Sequence, residues 1–369
     1  MRKLWKTSHA IFIMIFLVIS ASCLTEDSLK IPFQSYTPAN LADGWEIADP
    51  TEVGIYGEAL RDVYKYVHND DNFWQIRSLI VFKDNKLVAE SYMKDRNDRA
   101  NLWPVWSCTK QVTGILAGIA IDQGLISLNE KISDHLPQVS RHSNKSEITI
   151  GNLLMMKSGI NWSNDGINGE SFQLLNKKPS NSLDFVLGLS MHSSPGTKFK
   201  YKDGDPQILS AIIQERTGKT MRDWAREVLF DRIGLHRLDW ITYKDGITMG
   251  AFGIMTTPRE MGKIGQLVLN GGMWGTETIV SSTWINEMTA AKVPPHETGI
   301  TDIAFGYQWW KDTTRNVMIM WGHGGQFVFI NPDKQLIVVI TAEHRTIGDF
   351  QIRVHQGLSI YDRINNITQ

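Results

Sequence analysis

The chain has 369 residues, 42% of them hydrophobic and 21% charged, with 38 lysines and arginines against 39 aspartates and glutamates. That length can bury a full core as one large domain or two smaller ones. The formal net charge of -1 excludes the basic surface that a nucleic acid or an anionic membrane selects, so no nucleic-acid partner is expected.

At the N-terminus, Arg2, Lys3 and Lys6 precede the apolar run AIFIMIFLVISAS. The run is short for a bilayer span and suits the core of a signal peptide, so residues 1–23 read as an export signal. It ends at Cys23 after Ser20, Ala21 and Ser22, where a bacterial lipoprotein is cut and lipidated, although such sites usually carry leucine in place of Ser20. Plain cleavage fits too; either route predicts a periplasmic or cell-envelope protein, with Cys23 the candidate lipid anchor. Cys108 is the only other cysteine, so the mature fold has no disulfide and must be held by its core.

Residues 24–50 are polar with prolines and read as a lead-in to one domain over 51–369. Ile55, Leu60, Val63, Tyr64 and Val67 recur at helical spacing, and SLIVFKDNKLVAESYM then reads as two strands turning at Asp84-Asn85. Val112, Ile115, Leu116 and Ile119 predict a helix buried along one face and stopped by Gly124. From 125 to 299 the pattern is mostly helical, and GNLLMMKSG and PQILSAIIQERTG read as short amphipathic helices closed by glycine. Strands return at VMIMW, QFVFINP and QLIVVITA, with a turn at Asp333-Lys334 and a last helix over about 347–363. Strands at about 51–124 and 300–369 with helices between predict an α+β fold: one antiparallel sheet carrying a large helical insertion.

Two Ser-x-x-Lys quartets occur, Ser91 to Lys94 and Ser107 to Lys110. In a strand, residues three apart point to opposite faces, which disfavours the first; in a first helical turn they share a face and touch, which favours the second. The helix N-terminus and burial would depress the pKa of Lys110, making a neutral amine able to activate Ser107. Local sequence leaves a second reading open, in which Ser107 caps the helix and the stem of Lys110 packs on it.

The stretches WSCTKQVTGILAGIAIDQGLISLNEKISDHLP and ITIGNLLMMKSGINW resemble the serine hydrolases related to class C β-lactamases, most of all the esterases and 6-aminohexanoate-oligomer hydrolases. The resemblance runs from about residue 50 to 345. It implies a β-lactamase/transpeptidase-like fold and three ordered elements: Ser107 with Lys110; Tyr201 with Asp203 in YKDGD; and His323, Gly324 and Gly325 on an edge strand lining the site. Ser107 is then the nucleophile, and Lys110 with Tyr201, its phenol pKa lowered by nearby positive charge, the general base and acid. His323 is expected to bond Tyr201 or substrate, the glycines to admit substrate close to the strand, and the backbone N–H groups of Ser107 and Gln326 to hold the oxyanion. Asp203 stands where β-lactamases usually carry asparagine and adds negative charge that raises the pKa of Lys110 or steers cationic substrates. His323 replaces the usual lysine and weakens any claim on a β-lactam carboxylate.

The expected substrate is a small ester, amide or peptide, with no cofactor; the alternatives are a penicillin-binding D-amino-acid peptidase or β-lactamase, and a non-catalytic binding domain. His135, His142 and His192 match no metal-ligand spacing, TGKT at 217–220 lacks the glycine a phosphate loop needs at Ile213, and no G-x-S-x-G elbow accompanies HGG. Cys108 lies about 100° round the helix from Ser107 and is expected to pack. Trp103, Trp106, Trp162, Trp309 and Trp310 are candidates for an aromatic pocket, with core packing the plainer role. Neither substrate identity nor oligomeric state is readable.

Overall fold

The computed structural model describes residues 30–343 and 352–369, so the expected export signal and Cys23 lie outside the described residues. Eight strands from both ends of the chain form the main sheet: β1 (Glu46–Ile47), β2 (Ile76–Lys83), β3 (Lys86–Tyr92), β4 (Ile303–Phe305), β5 (Trp310–Asp312), β6 (Val317–Gly322), β7 (Gln326–Asn331) and β8 (Leu336–Ala342). Their spatial order is β1-β3-β2-β8-β7-β6-β5-β4. Every pairing is antiparallel except β1 with β3, which makes the sheet mixed and ties the 24–50 lead-in to it. Strands β1, β4 and β5 escape the sequence pattern because two or three residues are too few to show a period.

The hairpin turns as expected at Asp84 and Asn85, both with positive φ (50° and 65°). β2, β7 and β8 are buried on both faces, so their alternation is hidden in continuous apolar runs. Five principal helices cover them: α1 (Gly57–Asn69), α2 (Cys108–Asp122), α3 (Gly204–Thr217), α4 (Pro258–Leu269) and α5 (Val354–Asn366). Leu79, Val81, Phe327, Phe329, Val338 and Ile340 turn to one side, into the core built with α1 and α5. Ile80, Phe82, Val328, Ile330, Ile337 and Val339 turn to the other, into the larger core that holds α2, α3 and α4.

Helix α1 buries one stripe, as its spacing predicts, but α2 is buried on every face from Cys108 to Ala120. It runs through the centre of the molecule, and two glycines let neighbours approach its backbone. A Cβ on Gly118 would fall 1.9 Å from the Trp284 indole, whose Nε1 donates to the Gly114 carbonyl at 3.0 Å. α3 ends at a left-handed Gly218 (φ 68°), so TGKT is a helix stop. GNLLMMKSG differs from expectation: its helix stops at Leu154, and Met156 (φ 56°) takes the left-handed position. The 125–299 stretch also contributes to small sheets, one of which pairs its strands Ile254–Thr256 and Leu238–Trp240 with Trp103–Pro104 from before it.

Candidate active site

The chain enters α2 through a tight turn in which Cys108 N–H donates to the Val105 carbonyl (3.1 Å) and Thr109 N–H to that of Trp106 (3.0 Å). Trp106 holds a left-handed φ of 51° to make this turn, a conformation that costs about 1–3 kcal/mol for a non-glycine residue. Ser107 follows with helical angles, and its side chain makes no capping bond. The capping reading is therefore wrong: Ser107 Oγ accepts a hydrogen bond from Lys110 Nζ at 2.8 Å, one turn along. Ser91 bonds His68 (3.1 Å) and Lys94 bonds Glu343 (3.4 Å), so the strand quartet is not a pair at all.

Lys110 is fully buried, and its Nζ also donates to Asp203 Oδ1 at 2.6 Å and to the Ala251 carbonyl at 3.1 Å. That carbonyl is fixed in place, because neighbouring Gly250 accepts from Thr113 Oγ1 and donates to Gln207 Oε1. Burial pulls the lysine pKa down, but the Asp203 carboxylate and then Tyr201 outweigh it, leaving the ammonium above its ordinary range. This corrects the expected depression, since an anion at contact distance beats the partial charge of a helix end. Asp203 stands at the cap position of α3, where it makes no capping bond. Both cap-type side chains, Ser107 and Asp203, are withheld from their helices and turned to one lysine.

Tyr201 is half-buried, tilted against Trp310 with ring centroids 5.3 Å apart, and the Lys110 ammonium lies 4.8 Å from its ring centroid. Ser107 and Lys110 both act to lower the pKa of its phenol. Burial raises its pKa, and the lowering by Lys110 does not compensate, so the expected activated phenol is a protonated one.

Sequence reasoning missed what holds this segment. Ser158 Oγ donates to Asp205 Oδ1 (2.6 Å), Lys202 Nζ donates to Ser158 Oγ (3.0 Å), and Lys202 lies 3.8 Å from Asp205, with all three side chains fully buried. Tyr201 and Asp203 thus serve the site while Lys202 and Asp205 anchor the chain between and beyond them. The signal available was three charges within YKDGD at the mouth of an apolar helix.

His323, Gly324 and Gly325 form the turn between β6 and β7 rather than part of an edge strand. β5 pairs with β6 only from Val317 to Ile319, and the remaining half of β6 runs up to the turn. His323 is exposed and meets Trp106 edge-on, centroids 5.8 Å apart. Gly325 (φ 105°) is closely packed, since a Cβ there would sit 2.6 Å from that of Ile352. Gln326 heads β7 beside α2, with Cys108 Sγ 3.6 Å from its carbonyl, and its side chain donates to the Ala342 carbonyl at 2.6 Å. Cys108 is buried and its thiol pKa is pushed up by that burial, as befits packing.

Ser107, Tyr201, Asp203 and His323 open into one cleft of about 540 Å³, walled by Trp106, Ile167, Phe172, Leu175 and Phe252. Of the five candidate tryptophans, only Trp106 lines it; Trp162, Trp309 and Trp310 are core, and Trp103 stacks under Arg77. His135 bonds Glu130 and His192 bonds the Gly159 carbonyl, and no cluster of metal-ligating side chains occurs among the described residues.

A sequence profile of the family described as Beta-lactamase matches residues 77–358. The chain belongs to the beta-lactamase family. Among curated members it is 21% identical over 286 residues to the 6-aminohexanoate-dimer hydrolase of Paenarthrobacter ureafaciens, covering 71% of each chain. Among solved structures of this fold, a candidate 6-aminohexanoate-dimer hydrolase from Bacillus anthracis superposes with a TM-score of 0.68 at 18% identity, over 95% of this chain and 93% of its own. A family VIII carboxylesterase gives 0.65 at 17% identity, over 84% and 97%. The β-lactamase/transpeptidase-like fold, with helices flanking the sheet, is the one implied by the sequence, and the beta-lactamase family to which the chain belongs is one of hydrolases.

Proposed function

We propose that the protein is an exported serine hydrolase that cleaves an ester or amide through an acyl-enzyme at Ser107. The observation that carries the reading is the Ser107 Oγ to Lys110 Nζ contact of 2.8 Å at the floor of a largely apolar cleft, with Tyr201 beside it. Ser107 attacks the carbonyl, its proton passes toward Lys110, and the Ser107 and Gln326 backbone N–H groups stabilise the oxyanion; losing one such donor typically costs about 2.7–4 kcal/mol of barrier. Tyr201, held protonated, delivers the proton to the leaving group, and water then reverses the steps to release the acid. The names of the relatives, a 6-aminohexanoate-dimer hydrolase and a carboxylesterase, support this chemistry. Export is supported by Arg2, Lys3 and Lys6 before the apolar run that ends at Cys23.

Reaction with a fluorophosphonate probe followed by peptide mapping tests the assignment. The adduct is expected on the peptide containing Ser107; an adduct elsewhere, or none, would overturn it. Stable labelling by fluorescent penicillin would move the reading to a D-amino-acid peptidase.

Ile167 is 68% exposed and Phe172 36%, an apolar rim to the cleft placed to meet an acyl chain. Phe172→Ala is expected to raise KM for an octanoyl ester by about tenfold while leaving an acetyl ester nearly unchanged. An equal effect on both esters would remove Phe172 from the acyl-chain contact.

A further inference from the structure

Lys110 is saturated in a way that its role as a base does not allow. Its Nζ lies 2.8 Å from Ser107 Oγ, 2.6 Å from Asp203 Oδ1 and 3.1 Å from the Ala251 carbonyl, and solvent does not reach it. The Asp203 carboxylate at 2.6 Å holds Lys110 as the ammonium, so a third N–H points at Ser107 Oγ where a neutral amine would present the lone pair that takes the serine proton. One proton must leave Lys110 before it can serve. The acceptors differ sharply: the Ala251 carbonyl and the Ser107 hydroxyl are poor proton acceptors, whereas the Asp203 carboxylate is a base at the shortest of the three distances.

We propose that Asp203 is the proton acceptor that makes Lys110 a base. One Lys110 N–H bond breaks and an O–H bond forms on Asp203 Oδ1. The freed amine turns about its Cε–Nζ bond to aim its lone pair at the Ser107 hydroxyl, and takes that proton as Ser107 attacks. Lys110 is again an ammonium, Asp203 is a carboxylic acid, and the negative charge has moved to the substrate oxyanion. When Tyr201 protonates the leaving group, it is refilled from Lys110, and Lys110 recovers its proton from Asp203, so the cycle closes with no external acid or base.

The other titratable groups around the pair do not offer this service. Tyr201 beside Lys110, Tyr243 near Asp203 and Cys108 on the next position of α2 are all held protonated by burial, and His323 faces the cleft from the β6–β7 turn. An asparagine at 203, usual in β-lactamases, could accept a hydrogen bond from Lys110 but not its proton; the departure noted in the sequence thus acquires a chemical meaning.

The proposal rests on Ser107 being the nucleophile, and the test separates the two. kcat/KM for a p-nitrophenyl ester is measured from about pH 6 to about pH 10 for the parent enzyme, Asp203→Asn and Asp203→Glu. The parent and Asp203→Glu are expected to share a flat profile through neutrality. Asp203→Asn is expected to run about 100-fold lower at the acidic end and to recover as pH rises and Lys110 loses a proton to solvent. Parallel profiles for the parent and Asp203→Asn would overturn the relay. Should Asp203→Asn fail to fold, as judged by its melting transition, a proton inventory of acylation in mixed light and heavy water decides on the parent enzyme alone: a curved dependence is expected, and a linear one overturns it. Fluorophosphonate labelling at Ser107 with parallel profiles removes only Asp203, whereas failure to label Ser107 removes the whole reading.

Discussion

Ser107→Ala is expected to lower kcat for ester hydrolysis by a factor on the order of 10⁴ to 10⁶, with KM little changed, because it deletes the atom that becomes acylated and leaves the oxyanion donors and cleft in place. The structure also predicts how this variant affects stability. Ser107 makes no capping bond, so no capping loss is expected; instead the buried Lys110 ammonium loses one of its three acceptors, which should cost about 1–3 kcal/mol and lower the melting temperature modestly. Steady-state kinetics and a melting curve on the same preparation check both halves. Retention of about a tenth of the parent rate would be far above the residual activity of such variants, and would place the nucleophile elsewhere.

The second large effect lies behind the site. Asp205→Ala removes the only carboxylate paired with Lys202 among the described residues and leaves an ammonium and the Ser158 hydroxyl buried without their anchor. Removing one member of a buried ion pair typically costs about 3–5 kcal/mol, enough to consume much of the stability of an ordinary domain. The pH dependence has a definite sign. Burial already lowers the pKa of Lys202 from its ordinary 10.5, with Asp205 opposing, so the variant lowers it further. Between that lowered folded value and 10.5 the unfolded chain binds more protons than the folded one, so the variant regains stability as pH rises through this window. Melting curves at neutral and alkaline pH read the effect. A Lys202→Met, Asp205→Leu double variant should be more stable than Asp205→Ala, since no uncompensated charge remains; if it is less stable, packing rather than charge explains the loss.

Ser107, Lys110, Tyr201, Asp203 and His323 could be named because three short motifs carry them; Ser107, Tyr201, Asp203 and His323 line one cleft, with Lys110 buried against Ser107 and Asp203. The turn at Asp84-Asn85 and the helix stop at Gly218 were legible for a related reason: the chemistry that fixes them is local. The charge on Lys110 was legible only as two opposing pulls, helix position and burial against Asp203, and the 2.6 Å contact that decides between them joins residues 93 apart. Lys202, Ser158 and Asp205 were invisible for the same cause: nothing in a linear pattern says that a charged residue beside a tyrosine turns inward and finds a partner 44 residues earlier. Full burial of α2 was likewise hidden, since a helix threaded through the core needs its polar residues for contacts that spacing alone cannot reveal.

The seam between β2 and β8 carries a consequence for biosynthesis. Ser78 and Thr341 share a hydrogen bond of 2.6 Å across 263 residues, and the turn bearing His323 and Gln326 belongs to the strands that follow the helical insertion. Bringing such distant segments together must wait for the last strands to be made. Until they arrive, Ser107 has neither the Gln326 backbone nor the His323 wall beside it, and a chain cut short before β7 carries the Ser-x-x-Lys pair without an oxyanion site. The cleft beside Ser107 is therefore completed late in synthesis, and on the proposed reading the nascent chain is expected to stay inert until then.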